Sequence, residues 1–171
     1  YDNKPLFGKT IVVTRARSQA SALTKQLEAE GAKVIEAPSI KIVPPETYAP
    51  LDEAIKNIHT YKWLVLTSAN GVKAFFARLA HSGLDARALA GVKIAAIGCG
   101  TAKALQSCGV KADLVPCTYK AEELAEALAP QLEKGDKVLI PRAKEAREVL
   151  PETLRRLGAE ADVITAYETA A

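Results

Sequence analysis

Four stretches of the chain combine hydroxyls, glycines and arginines in a pattern suited to holding an anion. They are Thr14-Arg15, Thr67-Ser68-Ala69-Asn70-Gly71, Gly98-Cys99-Gly100-Thr101 and Pro141-Arg142-Ala143. Each follows a short apolar run of the kind that forms a buried strand. A helix N-terminus leaves backbone N–H groups unpaired, and small hydroxyl residues or glycine beside it let an anion reach them. The same hydroxyls serve as ordinary helix caps, so Thr67, Ser68 and Thr101 carry both readings. Arg142 reads equally as a ligand contact and as half of a local ion pair. Tyr167 ends the last apolar run, next to Glu168 and Thr169. As a structural residue it is a packed ring whose hydroxyl needs a partner.

Several other chemistries lack their residues. Gly98-Cys99-Gly100 begins like a dinucleotide loop, but the third glycine of G-x-G-x-x-G falls at Lys103, and a P-loop pattern is missing as well. His59 and His81 belong to no H-E-x-x-H pair, and there is no G-x-S-x-G elbow. Cys99, Cys108 and Cys117 are odd in number and match no zinc spacing, so they read as plain thiols of a reducing cytosol. The expectation is a cytoplasmic, monomeric protein whose sequence carries no cofactor fingerprint and no metal fingerprint.

The net charge of +3 comes from scattered Lys and Arg, and aromatic residues are only 5%, so no basic stripe with stacking side chains marks a nucleic-acid binder. A mildly basic cleft remains compatible with an acidic small molecule. No apolar run approaches the roughly 20 residues of a membrane span. The start, YDNKPLFGK, lacks the apolar stretch of a signal peptide, and the absence of any Met makes the chain read as a piece of a longer protein.

These turns are spaced by alternating strand and helix patterns. Thr10–Thr14 reads as a strand and Ser18–Glu30 as a helix stopped by Gly31. Lys33–Ile42 reads as one strand bent or interrupted by Pro38, and Pro44-Pro45 breaks the chain. Beyond it the pattern predicts a helix from Leu51 to about Ile58, strand Trp63–Leu66, helix Val72–Ala80 and strand Lys93–Ile97. A helix opening near Thr101 and ending at Gly109, strand Ala112–Val115, helix Ala121–Leu132 and strand Lys137–Ile140 come next. A helix containing Pro151 and a strand Val163–Tyr167 complete the series. Continuous apolar strands separated by single helices predict an α/β fold with parallel sheets covered on both faces. The first strand, helix and bent strand are too few to bury a sheet.

Four segments, in order and in register, resemble the uroporphyrinogen-III synthase family: GKTIVVTRARSQASALTKQLEAEGAKVIEAPSIKI, LVLTSANGVKAFF, VKIAAIGCGTAKALQSCGVKADLVP and KVLIPRAKEAREVLPETLRRLGAEADVITAYET. The lead-in Lys4-Pro5-Leu6-Phe7-Gly8-Lys9 resembles the linker that follows a uroporphyrinogen-III methyltransferase in bifunctional bacterial proteins. The resemblance implies two α/β domains joined by two extended crossings, the first domain discontinuous. Residues 1–40 would be the N-terminal part of domain 1 with a crossing, 41–165 a complete domain 2, and 166–171 the return crossing. The C-terminal third of the family, which completes domain 1, would lie beyond residue 171.

The resemblance also implies the chemistry: a hydro-lyase that closes hydroxymethylbilane, a linear tetrapyrrole bearing acetates and propionates, into uroporphyrinogen III. Water leaves, an azafulvene cation forms, and the last pyrrole inverts through a spiro intermediate on the way to haem, sirohaem and cobalamin. By the same resemblance Tyr167 assists departure of the hydroxyl. Thr67, Ser68 and Asn70 form the cleft-facing turn of domain 2, with Thr101 at the neighbouring helix start. Arg15 matches the arginine ending the first strand, with a substrate-binding or structural role, and Arg142 stays open between ligand and ion pair. Residues 1–171 alone are expected to be inactive. The rival reading is a non-catalytic ligand-sensing domain of the same fold.

Overall fold

The computed structural model describes residues 4–14, 17–37, 40–116 and 120–170, without the side chains of residues 17–21. The chain divides into two compact units, residues 1–43 with 169–171, and residues 44–168. The division falls immediately before the double proline.

In the smaller unit, β1 (Thr10–Val13) and β2 (Lys33–Glu36) pair in parallel, Thr10 opposite Lys33 and Val13 opposite Glu36, joined through α1 (Arg17–Ala29). Gly31 makes the turn from α1 into β2 at φ +93°, where a Cβ would meet Lys4 Cβ at 3.0 Å and the Phe7 backbone at 3.2 Å. The run expected as one interrupted strand is two separate strands, β2 and β3 (Lys41–Val43). Pro38 lies outside the described residues. Two paired strands and one helix leave Val12 56% and Ile35 46% exposed, as a sheet this small must.

The larger unit is a parallel sheet with helices on both faces. Its strands are β4 (Trp63–Leu66), β5 (Lys93–Ala96), β6 (Lys137–Ala143) and β7 (Glu160–Ala170), in the order β7-β6-β4-β5. The period-2 alternation of strand side chains sorts them between two cores. Leu64, Leu66, Ile94, Ala96 and Leu139 face one, under α2 (Ala49–Lys56), α3 (Ala69–His81) and α4 (Gly98–Ser107). Trp63, Val65, Ala95, Val138 and Ile140 face the other, under α5 (Ala121–Leu128) and α6 (Val149–Arg156). All four residues of β4 are fully buried, which explains why that strand reads as a solid apolar run.

Local chemistry moved several boundaries. Gly98, at φ +81°, turns the chain directly out of β5, so α4 opens three residues before Thr101 instead of near it. Pro130 stops α5 at Leu128, and a 3-10 turn, Ala129–Gln131, replaces the expected continuation to Leu132. The expected strand Ala112–Val115 reduces to one bridge, Ala95 with Leu114. Pro151 sits in the first turn of α6, where its missing N–H has no intrahelical partner to lose.

Winding reverses at β4. The chain passes from β4 through α3 to its neighbour β5, then crosses back to β6 on the other side of β4. Helix α3 covers one face and α6 the other, which puts a topological switch point at the C-terminal ends of β4 and β6. Open α/β sheets bind their ligands at such a switch point.

Candidate active site at the sheet switch point

The turn leaving β4 sits at this switch point. Ser68, in extended backbone at φ −153°, is the N-cap of α3, and its Oγ accepts the Gly71 N–H at 3.0 Å. The capping role foreseen for Ser68 is therefore real, and it is not the whole role. The same Oγ lies 3.0 Å from the Tyr167 hydroxyl. A serine oxygen can accept two hydrogen bonds and donate one, so it can hold the cap while it shares a proton with the phenol. With Ser68 as donor, the phenol O–H is free to donate elsewhere.

Gly71 makes this geometry accessible. A Cβ there would lie 3.3 Å from both the Pro141 carbonyl and Ser68 Oγ. Glycine lets the first turn of α3 press against the end of β6 without displacing the capping hydroxyl. Neither α3 nor α4 has an acidic residue in its own first turn, and both positive helix ends face the C-terminal edge of the sheet.

A bulge aims Tyr167. Strand β7 runs in register with β6 up to Thr165 opposite Arg142, but the next pair is Tyr167 opposite Ala143. Ala166 is the extra residue. Ile164, Ala166 and Tyr167 all pack on the α3 side of the sheet, which strict alternation forbids for the neighbours 166 and 167. The bulge turns Tyr167, only 8% exposed, onto the face that carries Ser68.

The other foreseen residues are placed less uniformly. Thr67 and Asn70 flank Ser68 at intermediate exposure. Thr101 stands a full turn inside α4 and is buried, so it lines the helix interior face and not its open end. Arg142 is buried at the end of β6, where its guanidinium pairs with Glu148 and donates to the Arg147 carbonyl. Those bonds make it the anchor of the turn between β6 and α6. Arg15 lies outside the described residues, as does Cys117.

Three charged residues near Tyr167 were not among the expected site residues. Lys144, directly after β6, reaches Glu46 at 2.5 Å and Glu168 at 3.4 Å, and the Glu46 N–H donates to Glu168 at 3.2 Å. The hydrogen bond from Lys144 holds the Glu46 carboxyl below its usual value, and the same bond raises the lysine. A cleft of about 240 Å³ opens beside them, lined by Pro45, Glu46, Lys144, Thr165 and Glu168 among others. Their only sequence signal was position, Lys144 after a strand end and Glu168 beside the tyrosine. Among the described residues no cluster of His, Cys, Asp and Glu could hold a metal ion, and no helix is long and apolar enough to cross a membrane.

Comparisons with known proteins agree on one relationship. The family model described as uroporphyrinogen-III synthase HemD matches residues 21–171. The chain is 42% identical over 170 residues to a uroporphyrinogen-III synthase of Synechococcus elongatus, covering 97% of this chain and 62% of that protein. It is 39% identical over 166 residues to the porphyrin biosynthesis protein HemD of Ruminiclostridium josui, covering 97% and 33% respectively. The chain thus spans less than two thirds of the length of these relatives. A crystal structure of uroporphyrinogen III synthase from Thermus thermophilus has the same fold, with a TM-score of 0.69 at 16% identity over 94% of this chain and 62% of that one. With a family match over nearly the whole chain and a fold to go with it, this chain belongs to the uroporphyrinogen-III synthase family.

Proposed function

We propose that the full-length protein cyclises hydroxymethylbilane to uroporphyrinogen III, with Tyr167 donating the proton on which water leaves. The observation that carries this is the Tyr167–Ser68 hydroxyl pair, 3.0 Å apart at the switch point of the sheet. The phenol O–H bond breaks as the hydroxymethyl oxygen takes its proton, and the C–O bond breaks as water departs. That leaves an azafulvene cation and a phenolate, the phenolate accepting a hydrogen bond from Ser68 Oγ–H. A proton lost from carbon after ring closure restores the phenol, so the net change is substrate to macrocycle plus water. The helix ends of α3 and α4 suit the substrate's carboxylates, because backbone N–H groups position anions without a wall of lysine. Folding the linear chain onto itself is chiefly orientation, which lowers the barrier by pre-paid entropy.

Two further parts belong to this reading. The exposed Val12 and Ile35 of the small unit would be covered by the remainder of domain 1, in a domain division of 1–40, 41–165 and 166–171 that runs within three residues of the compact units 1–43 with 169–171 and 44–168. A methyltransferase fused ahead of the synthase rests on the lead-in to residue 9, which resembles the linker of bifunctional proteins. Free thiols at Cys99 and Cys108 support a reducing, cytoplasmic setting.

The test is an assay of the full-length protein with hydroxymethylbilane and separation of product isomers. Isomer III above the spontaneous type I background is the expected result. Type I alone would overturn the proposal in favour of a ligand-sensing domain.

A further inference from the structure

We propose that Lys144 is a positioning residue for Tyr167, acting as a latch that sets the rotation of the β7 strand end. The inference rests on the catalytic reading of Tyr167. The bulge at Ala166 shifts the β6–β7 register by one residue immediately before the tyrosine, so Tyr167 pairs with Ala143 out of the alternation set by the rest of the strand. Pairing continues through the Lys144 N–H, which donates to the Tyr167 carbonyl at 3.2 Å. The Lys144 side chain then ties down the next residue, with Nζ 3.4 Å from Glu168 Oε1 and 2.5 Å from Glu46 Oε1. Glu168 Oε1 also takes the Glu46 N–H, so one carboxylate joins three segments of the chain.

Consecutive strand side chains project to opposite faces, and pinning Glu168 therefore fixes the direction of Tyr167. The Glu168 side chain is 19% exposed against 46% for Lys144, so the contact at its base is the better shielded part of the cluster. An isolated exposed ion pair does little for stability. A latch on a bulged strand end acts instead on the alignment of a hydroxyl whose partner is 3.0 Å away, and small misalignments of reacting groups cost large factors in rate.

The experiment compares full-length Lys144→Met and Lys144→Arg. For Lys144→Met we expect kcat for isomer III to fall roughly tenfold at unchanged KM, below the ~10²-fold of a 1 Å misplacement. Lys144→Arg, keeping charge and reach, should return most of the rate. A raised KM with unchanged kcat would make Lys144 a substrate contact and overturn the proposal, as would no effect on either constant. Exchange of the residue-144 amide is the second readout, about tenfold faster in Lys144→Met and restored in Lys144→Arg. It still decides the latch if the wild-type protein yields only type I product: faster exchange supports positioning, and unchanged exchange overturns it. Should Lys144→Met fail to fold, Glu46→Gln probes the same cluster with the same two readouts.

Discussion

Tyr167 and Ser68 are 99 positions apart in the chain, yet their hydroxyl oxygens are 3.0 Å apart. The pair joins the return strand of the larger unit to the N-cap of α3, so it couples a proposed proton donor to a structural hydrogen bond. The two residues can therefore be separated by mutation.

Tyr167→Phe keeps the ring in the core and removes only the shared hydroxyl. Isomer III turnover in the full-length protein should fall by roughly 10²-fold or more, as for loss of a general acid. The thermal midpoint should move little. Ser68→Ala should differ, losing about 1 kcal/mol of stability from the cap in addition to turnover. Denaturant unfolding beside the isomer assay distinguishes the two. Equal stability losses for both variants would mean that the phenol is simply part of the packing.

Gly71→Ala inserts a methyl 3.3 Å from the Pro141 carbonyl and from Ser68 Oγ. Both neighbours must shift by a few tenths of an ångström, and Ser68 Oγ must do so while it holds the cap, so the variant should lose about 1 kcal/mol. Because Ser68 is displaced, turnover should fall further than stability accounts for. Gly100→Ala is the control, since a Cβ there meets nothing within 4 Å.

Asp52 on α2 accepts from Arg78 on α3 at 2.5 and 2.6 Å, and the guanidinium also lies 4.4 Å from the centre of the Tyr48 ring. These hydrogen bonds hold the Asp52 carboxyl below its ordinary value of 3.8. A carboxyl lowered on folding stabilises above its unfolded value, and that stabilisation disappears as pH falls through the folded value. Asp52→Asn should therefore be less stable than wild type at neutral pH, with the gap closing below about pH 4. Thermal unfolding from pH 7 to pH 2 measures it. Salt should shrink the gap as well, because the carboxylate is partly exposed.

Tyr61 lies at the other end of the sheet, where its hydroxyl donates to Asp162 at 2.7 Å. Burial first, and then that hydrogen bond, push the phenol well above its ordinary value of 10.0. Folding keeps this proton while the unfolded chain loses it, so the contribution is complete below pH 10 and declines as pH rises beyond. Ultraviolet titration should show a late step in which Tyr61 ionises only with alkaline unfolding. Tyr61→Phe should abolish that late step, and a late step that persists would assign it to another residue.

Much of the architecture was legible because it is local. Gly31 ends α1 at a left-handed φ, Ser68 caps α3, and the four apolar residues of β4 announce a strand covered on both sides. Errors arose where one residue overrode a periodic pattern. Gly98 started α4 early and thereby buried Thr101, and Pro130 cut α5 short. The resemblance named Tyr167 and Ser68 separately, but no spacing in the sequence says that they touch.

Residue type and order alone determined the alternation of strands and helices, the hydroxyl and glycine turns at strand ends, and the family. Those features depend on backbone preferences and apolar periodicity within a few residues of each position. Tertiary structure alone decided that winding reverses at β4, that Ala166 bulges, and that Arg142 spends its charge on Glu148. It also brought Lys144 between Glu46 and Glu168. The Arg142 pair depends on how the chain turns between β6 and α6, and the others on which distant strands become neighbours and in what register, where a one-residue slip reverses the face that a side chain meets.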